Sequence, residues 1–120
     1  NDFIQDWVRG RAALNIKQSE EKLQRHPYEP CYLYESGIRP LAQYPVRGVI
    51  WYQGESNAHN YEAHEKLFKL LIGSWRKNWG SETLPFYYVQ LSGIARPSWP
   101  WFRDSQRRMM NEILNTGMAV

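Results

Sequence analysis

The sequence predicts an α/β fold in which a parallel sheet is flanked by helices. Two short, densely apolar runs at residues 46–52 and 85–91 have the length and composition of buried strands. Between them, and again after the second, apolar residues recur at threes and fours, the period of one helical face. The resulting order, strand–helix–strand–helix–strand, is that of a parallel sheet with crossover helices.

In chain order, residues 2 to about 25 read as a helix with Phe3, Ile4, Trp7, Val8 and Leu14 on one side and a charged, solvated end over residues 19–25. Pro27 and Pro30, flanking Tyr28 and Glu29 after His26, do not allow it to continue. Residues 31–34 are expected as a short extended piece, followed by a loop through Gly37 and Pro40. The run at 46–52 is so nearly continuous in apolar side chains that both of its faces are expected to be covered. Residues 57–60 offer several N-caps for a helix running to about Asn78. Tyr61, His64, Phe68, Leu71, Trp75 and Trp79 form its buried face, and Gly80 is its natural stop. The second strand, at 85–91, is followed by a loop over 92–100 holding Gly93, Pro97 and Pro100. A helix over 102–114 and the onset of a strand at Met118, Ala119 and Val120 complete the order. That last strand is expected to be cut near its start, as in a segment of a larger domain.

Composition narrows the function classes. With 120 residues, 42% hydrophobic and 22% charged, the chain has the makings of a core rather than of a disordered segment. The net charge is +3, and the 15 Lys and Arg are scattered without a basic stripe, so no nucleic-acid partner is expected. No run reaches the roughly 18 apolar residues of a membrane helix, and no membrane partner is expected. The single Cys31 forms no internal disulfide and no cysteine metal cluster, and reads as a small buried hydrophobe. Aromatics, at 15% with six Trp, are the compositional outlier. Most of the surplus is expected in the core, and since carbohydrate sites also use exposed rings it is a faint pointer to sugar stacking.

The chemistry concentrates where the first strand ends. In open α/β sheets ligands bind beyond the carboxyl ends of strands, and here an apolar run gives way to Gln53, Gly54, Glu55 and Ser56. Gln53 can offer a side-chain amide to a developing oxyanion, Gly54 allows close backbone approach, and Glu55 can orient a neighbour. The same residues also suit a plain strand-to-helix turn capped by Ser56 or Asn57.

Residues 51–58, Trp-Tyr-Gln-Gly-Glu-Ser-Asn-Ala, resemble the signature of the sialate O-acetylesterase family within the SGNH-type (GDSL-like) hydrolases. Residues 33–41, with Gly37 followed by Pro40 and Leu41, resemble that family's upstream block, and segments 68–79, 85–91 and 115–120 resemble its downstream blocks. The likeness covers about residues 27–120, with residues 1–26 as a helical lead-in. It implies part of a three-layer α/β/α sandwich that removes acetyl esters from sugars, including sialic acid, without metal or organic cofactor. It also implies a serine nucleophile in a Gly-Gln-Ser-Asn motif and a histidine in an Asp-x-x-His motif, and neither motif occurs here. The implied partners are an O-acetylated sugar and the missing segments of the parent chain, in a secreted, periplasmic or lysosomal setting. By the same likeness Gly37 supplies a backbone oxyanion donor and Gln53 a side-chain one, with Gly54 and Glu55 supporting. Glu35 and Ser36 replace the more usual residue before Gly37. Alone, the chain is expected to be inactive and to expose sheet edges prone to association.

Two rival readings follow from the same residues. Gly54-Glu55-Ser56 after an apolar strand mimics a Gly-Asp-Ser nucleophile block, with His59 or His64 as base. Alternatively, Trp99 and Trp101 serve as stacking platforms of a non-catalytic carbohydrate-binding piece, or they simply pack beneath the long loop. In either the esterase or the binding module, Arg96 or Arg103 can pair with a sugar carboxylate, which guanidinium matches bidentately.

Overall fold

The computed structural model describes residues 6, 10, 13–14, 25, 27 and 29–120, in two compact units, Asn1–Tyr44 and Pro45–Val120. In the first unit Asp6, Gly10, Ala13 and Leu14 are helical. Most of the rest of the helix expected over residues 2–25, and His26, lie outside the described residues.

The extended piece expected at residues 31–34 is not extended. Cys31 turns the backbone with φ 67° and accepts from the Glu35 N–H through its carbonyl at 2.9 Å. The chain then winds through a π-helix at Tyr34–Ile38 and a 3-10 turn at Arg39–Leu41, so Gly37 sits in a helical turn rather than a loop. Local bonds outcompete strand geometry here. The Ser36 hydroxyl donates to the Tyr32 carbonyl at 2.7 Å, and Arg25 pairs with both Glu29 and Glu35. That pairing holds the Glu35 carboxyl below its usual range. Cys31 is exposed, correcting its expected burial, because its turn carries the side chain outward.

The second unit contains the sheet. Strands β1 (Val49–Trp51), β2 (Phe86–Val89) and β3 (Thr116–Ala119) lie in that order, all parallel. Val49 and Trp51 lie beside Phe86 and Tyr88, while Phe86 and Val89 lie beside Thr116 and Ala119. Helix α1 (Tyr61–Asn78) joins β1 to β2, and α2 (Trp99–Glu112) joins β2 to β3. The Asn60 side chain caps α1 by accepting from the Ala63 N–H at 3.2 Å. At the other end Gly80, with φ 61°, turns the chain so that its N–H reaches the Lys77 carbonyl and that of Ser81 reaches Arg76. This is a Schellman closure, which needs the left-handed conformation glycine adopts freely.

Helix α2 begins three residues before the predicted start. Pro100 lies in its first turn, where a missing N–H breaks no intrahelical bond, so the proline that suggests a loop instead opens the helix. It ends at Glu112, because Ile113 is extended with ψ 117°.

Phe86 and Tyr88 pack with Phe68 and Ile72 of α1 and Met109 of α2. Parallel crossovers are right-handed, and two of them stepping the same way across a sheet place both helices on one face. The opposite face carries Ile50, 85% exposed, and Tyr87, 58% exposed. The expectation that β1 is covered on both faces therefore fails within this unit, since both helices lie on the same side.

His64 is buried on α1 as the periodicity predicts, stacked on Phe68 at 5.8 Å and tilted against Phe102 at 4.6 Å. Burial lowers its pKa from the ordinary 6.5. The unfolded chain thus takes up this proton first on acidification. Stability is full above about pH 6.5 and declines as pH falls toward the depressed folded value. Urea midpoints measured at about pH 7.5 and about pH 5 should fall between the two, and His64→Leu should flatten that dependence.

Candidate active site

A second, smaller core lies beyond the carboxyl ends of the strands. Ala58, Leu91, Trp99 and Phe102 are all buried, with Tyr61 packed against them. The turn that follows β1 rests on this cluster. Gly54 is buried with φ 144°, a conformation side chains rarely adopt. A Cβ there would lie 2.5 Å from Phe102 Cζ and 2.7 Å from Cε1. The Phe102 ring therefore occupies the space that any other residue at 54 would need.

From that fixed point the chain turns tightly through Glu55–Asn57, a single 3-10 turn closed by the Asn57 N–H donating to the Gly54 carbonyl at 2.8 Å. Gln53 is exposed beside the turn, and its side-chain amide donates to Asn57 Oδ1 at 2.7 Å. Glu55 and Ser56 are exposed on the same turn. Gln53 and Glu55 are thus exposed together just beyond the carboxyl end of β1, with Gly54 buried between them. Gly37 belongs to the first unit, where a Cβ would meet nothing within 4 Å.

The neighbouring strand end is bolted to α2 by amides. Gln90 and Arg103 exchange two hydrogen bonds, Gln90 Nε2 to the Arg103 carbonyl at 3.0 Å and Arg103 NH2 to Gln90 Oε1 at 2.8 Å. Gln106, 3% exposed, accepts from the Leu91 N–H at 3.0 Å, and its own carbonyl accepts from the Tyr88 hydroxyl at 2.6 Å. Desolvation pushes the Tyr88 phenol up to about 12, so it remains a donor across the physiological range. These contacts fix α2, and with it the Phe102 ring beneath Gly54. Gln90, Gln106 and Phe102 carry no local signal of this role, because their partners are distant in sequence.

Of the aromatic loop, Trp99 does not offer a stacking face. It is 2% exposed, its Nε1 donates to the Ser92 carbonyl at 2.6 Å, and Arg96 lies over its ring at 5.7 Å. Its first position in an amphipathic helix turns the ring into the small core, so of the two readings open for Trp99 packing holds and the stacking role is corrected. Trp101 is 64% exposed and Arg96 is exposed, so both remain open to a ligand. His64, held between two phenyl rings, is a packing group rather than a base for Ser56.

A family model described as a carbohydrate esterase, sialic acid-specific acetylesterase, matches residues 4–119. The chain is 39% identical to the sialate O-acetylesterase of Mus musculus over 112 residues, covering 78% of this chain and 21% of that protein. It is 38% identical to the sialate O-acetylesterase of Homo sapiens, with the same coverage. Among solved structures it resembles a carbohydrate acetylesterase from Xanthomonas citri, with 38% identity and a TM-score of 0.65 over 73% of this chain and 22% of that one. The chain therefore spans about a fifth of the length of the relatives it matches.

The Gly54 geometry makes a direct prediction. Gly54→Ala should destabilise the protein by about 2–5 kcal/mol in urea titration, combining backbone strain with overpacking against a rigid ring. Gly37→Ala, with open space around it, should change stability far less.

Proposed function

The chain belongs to the sialic acid-specific acetylesterase family of carbohydrate esterases, and we propose that it supplies the oxyanion-side portion of a serine esterase site. The intact protein would remove acetyl groups from sialic acid or related sugars. Its nucleophile and histidine base would come from segments outside these 120 residues. A serine attacks the acetyl carbonyl, the tetrahedral intermediate collapses to an acyl-enzyme, and water then clears the acetyl group.

The observation that carries this reading is the placement of the Gln53 amide. It stands exposed at the carboxyl end of β1, on a turn whose shape Gly54 and Phe102 determine. A preorganised donor at that position meets the charge developing on the former carbonyl oxygen, where such groups contribute about 2.7–4 kcal/mol. Gly54, buried against Phe102, shapes the turn rather than opening room for the acetyl group, and Glu55 is proposed to support the neighbouring groups. Gly37 keeps its proposed role as a backbone donor on the strength of the family likeness.

Exposed Trp101 and Arg96 are proposed to contact the sugar, the ring by stacking and the guanidinium by pairing with a carboxylate. A secreted, periplasmic or lysosomal setting follows from the same likeness. No helix among the described residues is long and apolar enough to cross a membrane.

In the intact protein, Gln53→Ala should lower kcat by about 10²–10³-fold with KM nearly unchanged, as loss of an oxyanion donor requires. Trp101→Ala should instead raise KM for the sugar ester while sparing kcat. An unchanged kcat in Gln53→Ala would remove Gln53 from the oxyanion hole.

A further inference from the structure

We propose that Asn57 is a positioning residue that aims the Gln53 amide at the oxyanion. The inference rests on the reading of Gln53 as an oxyanion donor and adds the group that makes that donor preorganised.

Glutamine is a poor choice for a fixed donor unless something holds it. Its side chain has three rotatable torsions, and ordering a glutamine side chain costs up to about 1.5–2 kcal/mol in lost rotamer freedom. Gln53 is exposed, so packing does not impose that order. Its amide nitrogen instead donates to Asn57 Oδ1 at 2.7 Å. An amide nitrogen carries two coplanar N–H groups. With one engaged by Asn57, the position of the amide nitrogen is tethered and its other N–H remains for a second acceptor.

The Asn57 side chain is itself well placed to act as the anchor. Its backbone is fixed independently, its N–H donating to Gly54 and its carbonyl accepting from Asn60 at 2.9 Å. Asn57 is half-buried, and the next residue, Ala58, is fully buried in the small core. The turn that places Oδ1 four residues after Gln53 is thus closed by backbone bonds, floored by Phe102 and pinned by Ala58. The acceptor is also neutral. A carboxylate at this position would hold the amide equally well but would oppose negative charge on the adjacent oxygen.

The test is a double-mutant cycle in the intact esterase, assayed with 4-nitrophenyl acetate. Asn57→Ala should lower kcat by about tenfold with KM within about twofold, because the donor remains but is no longer aimed. In a Gln53→Ala background the same substitution should change kcat by less than about twofold, since the group it positions is gone. Asn57→Ser keeps a turn-favouring residue too short to reach Gln53, so it should fold normally and reproduce the kcat loss. Full kcat in Asn57→Ser, or equal losses from Asn57→Ala with and without Gln53, would overturn the positioning role. If Gln53→Ala is costly and Asn57→Ala harmless, this inference fails and the oxyanion reading stands. If Gln53→Ala is harmless, the oxyanion reading fails and takes the inference with it.

Discussion

The ring of Phe102 against the backbone of Gly54 is the contact on which the rest of the site depends. It links α2, forty-eight residues further along the chain, to the turn that ends β1. Because the ring fills the position of a side chain at 54, the turn has one place to sit. Gly54 can then take the φ of 144° from which Glu55–Asn57 winds back toward Gln53. Everything that orients Phe102 therefore also orients the candidate donor. The two-way contact of Gln90 with Arg103 and the buried bridge through Gln106 bear on the turn in this indirect sense.

A division of labour runs through the second unit. The larger core, built on Phe68, Ile72, Phe86, Tyr88 and Met109, holds two helices against one face of the sheet. The smaller core, of Ala58, Leu91, Trp99 and Phe102, lies beyond the strand ends and supports the turn. Aromatic side chains make up half of each, which accounts for part of the compositional surplus of rings. Trp99 shows the consequence. One of two rings that the sequence offers for sugar stacking, it is a structural member of the floor, whereas Trp101 two residues later is exposed.

The order of strands and helices in the second unit was legible because periodicity is a local property. Val49 to Trp51 and Phe86 to Val89 are dense in apolar residues, and the α1 stripe from Tyr61 to Trp75 recurs at threes and fours. Gln53, Gly54 and Glu55 were legible as a candidate site because polar residues and a glycine abruptly follow a buried strand. What could not be read was set by distant partners or by several competing local bonds. Phe102 gives no hint in sequence that it abuts Gly54, and Asn57 reads as an N-cap although its side chain serves Gln53 and Asn60 does the capping. The helical turns after Cys31 are closed by backbone bonds and flanked by the pairing of Arg25 with Glu29 and Glu35, which apolar patterning does not reveal. Coverage of one sheet face depends on crossover handedness, and a short apolar strand reads the same whether one face or two are covered.

If Gln53 lies on the oxyanion side of a serine esterase site, the nucleophile comes from elsewhere in the intact protein. Fluorophosphonate labelling of that protein, with the modified peptide mapped by mass spectrometry, should then find a single labelled serine outside these 120 residues and no label on this chain in isolation. Label on Ser56 would instead make Gly54-Glu55-Ser56 the nucleophile turn and leave Gln53 without its assigned role.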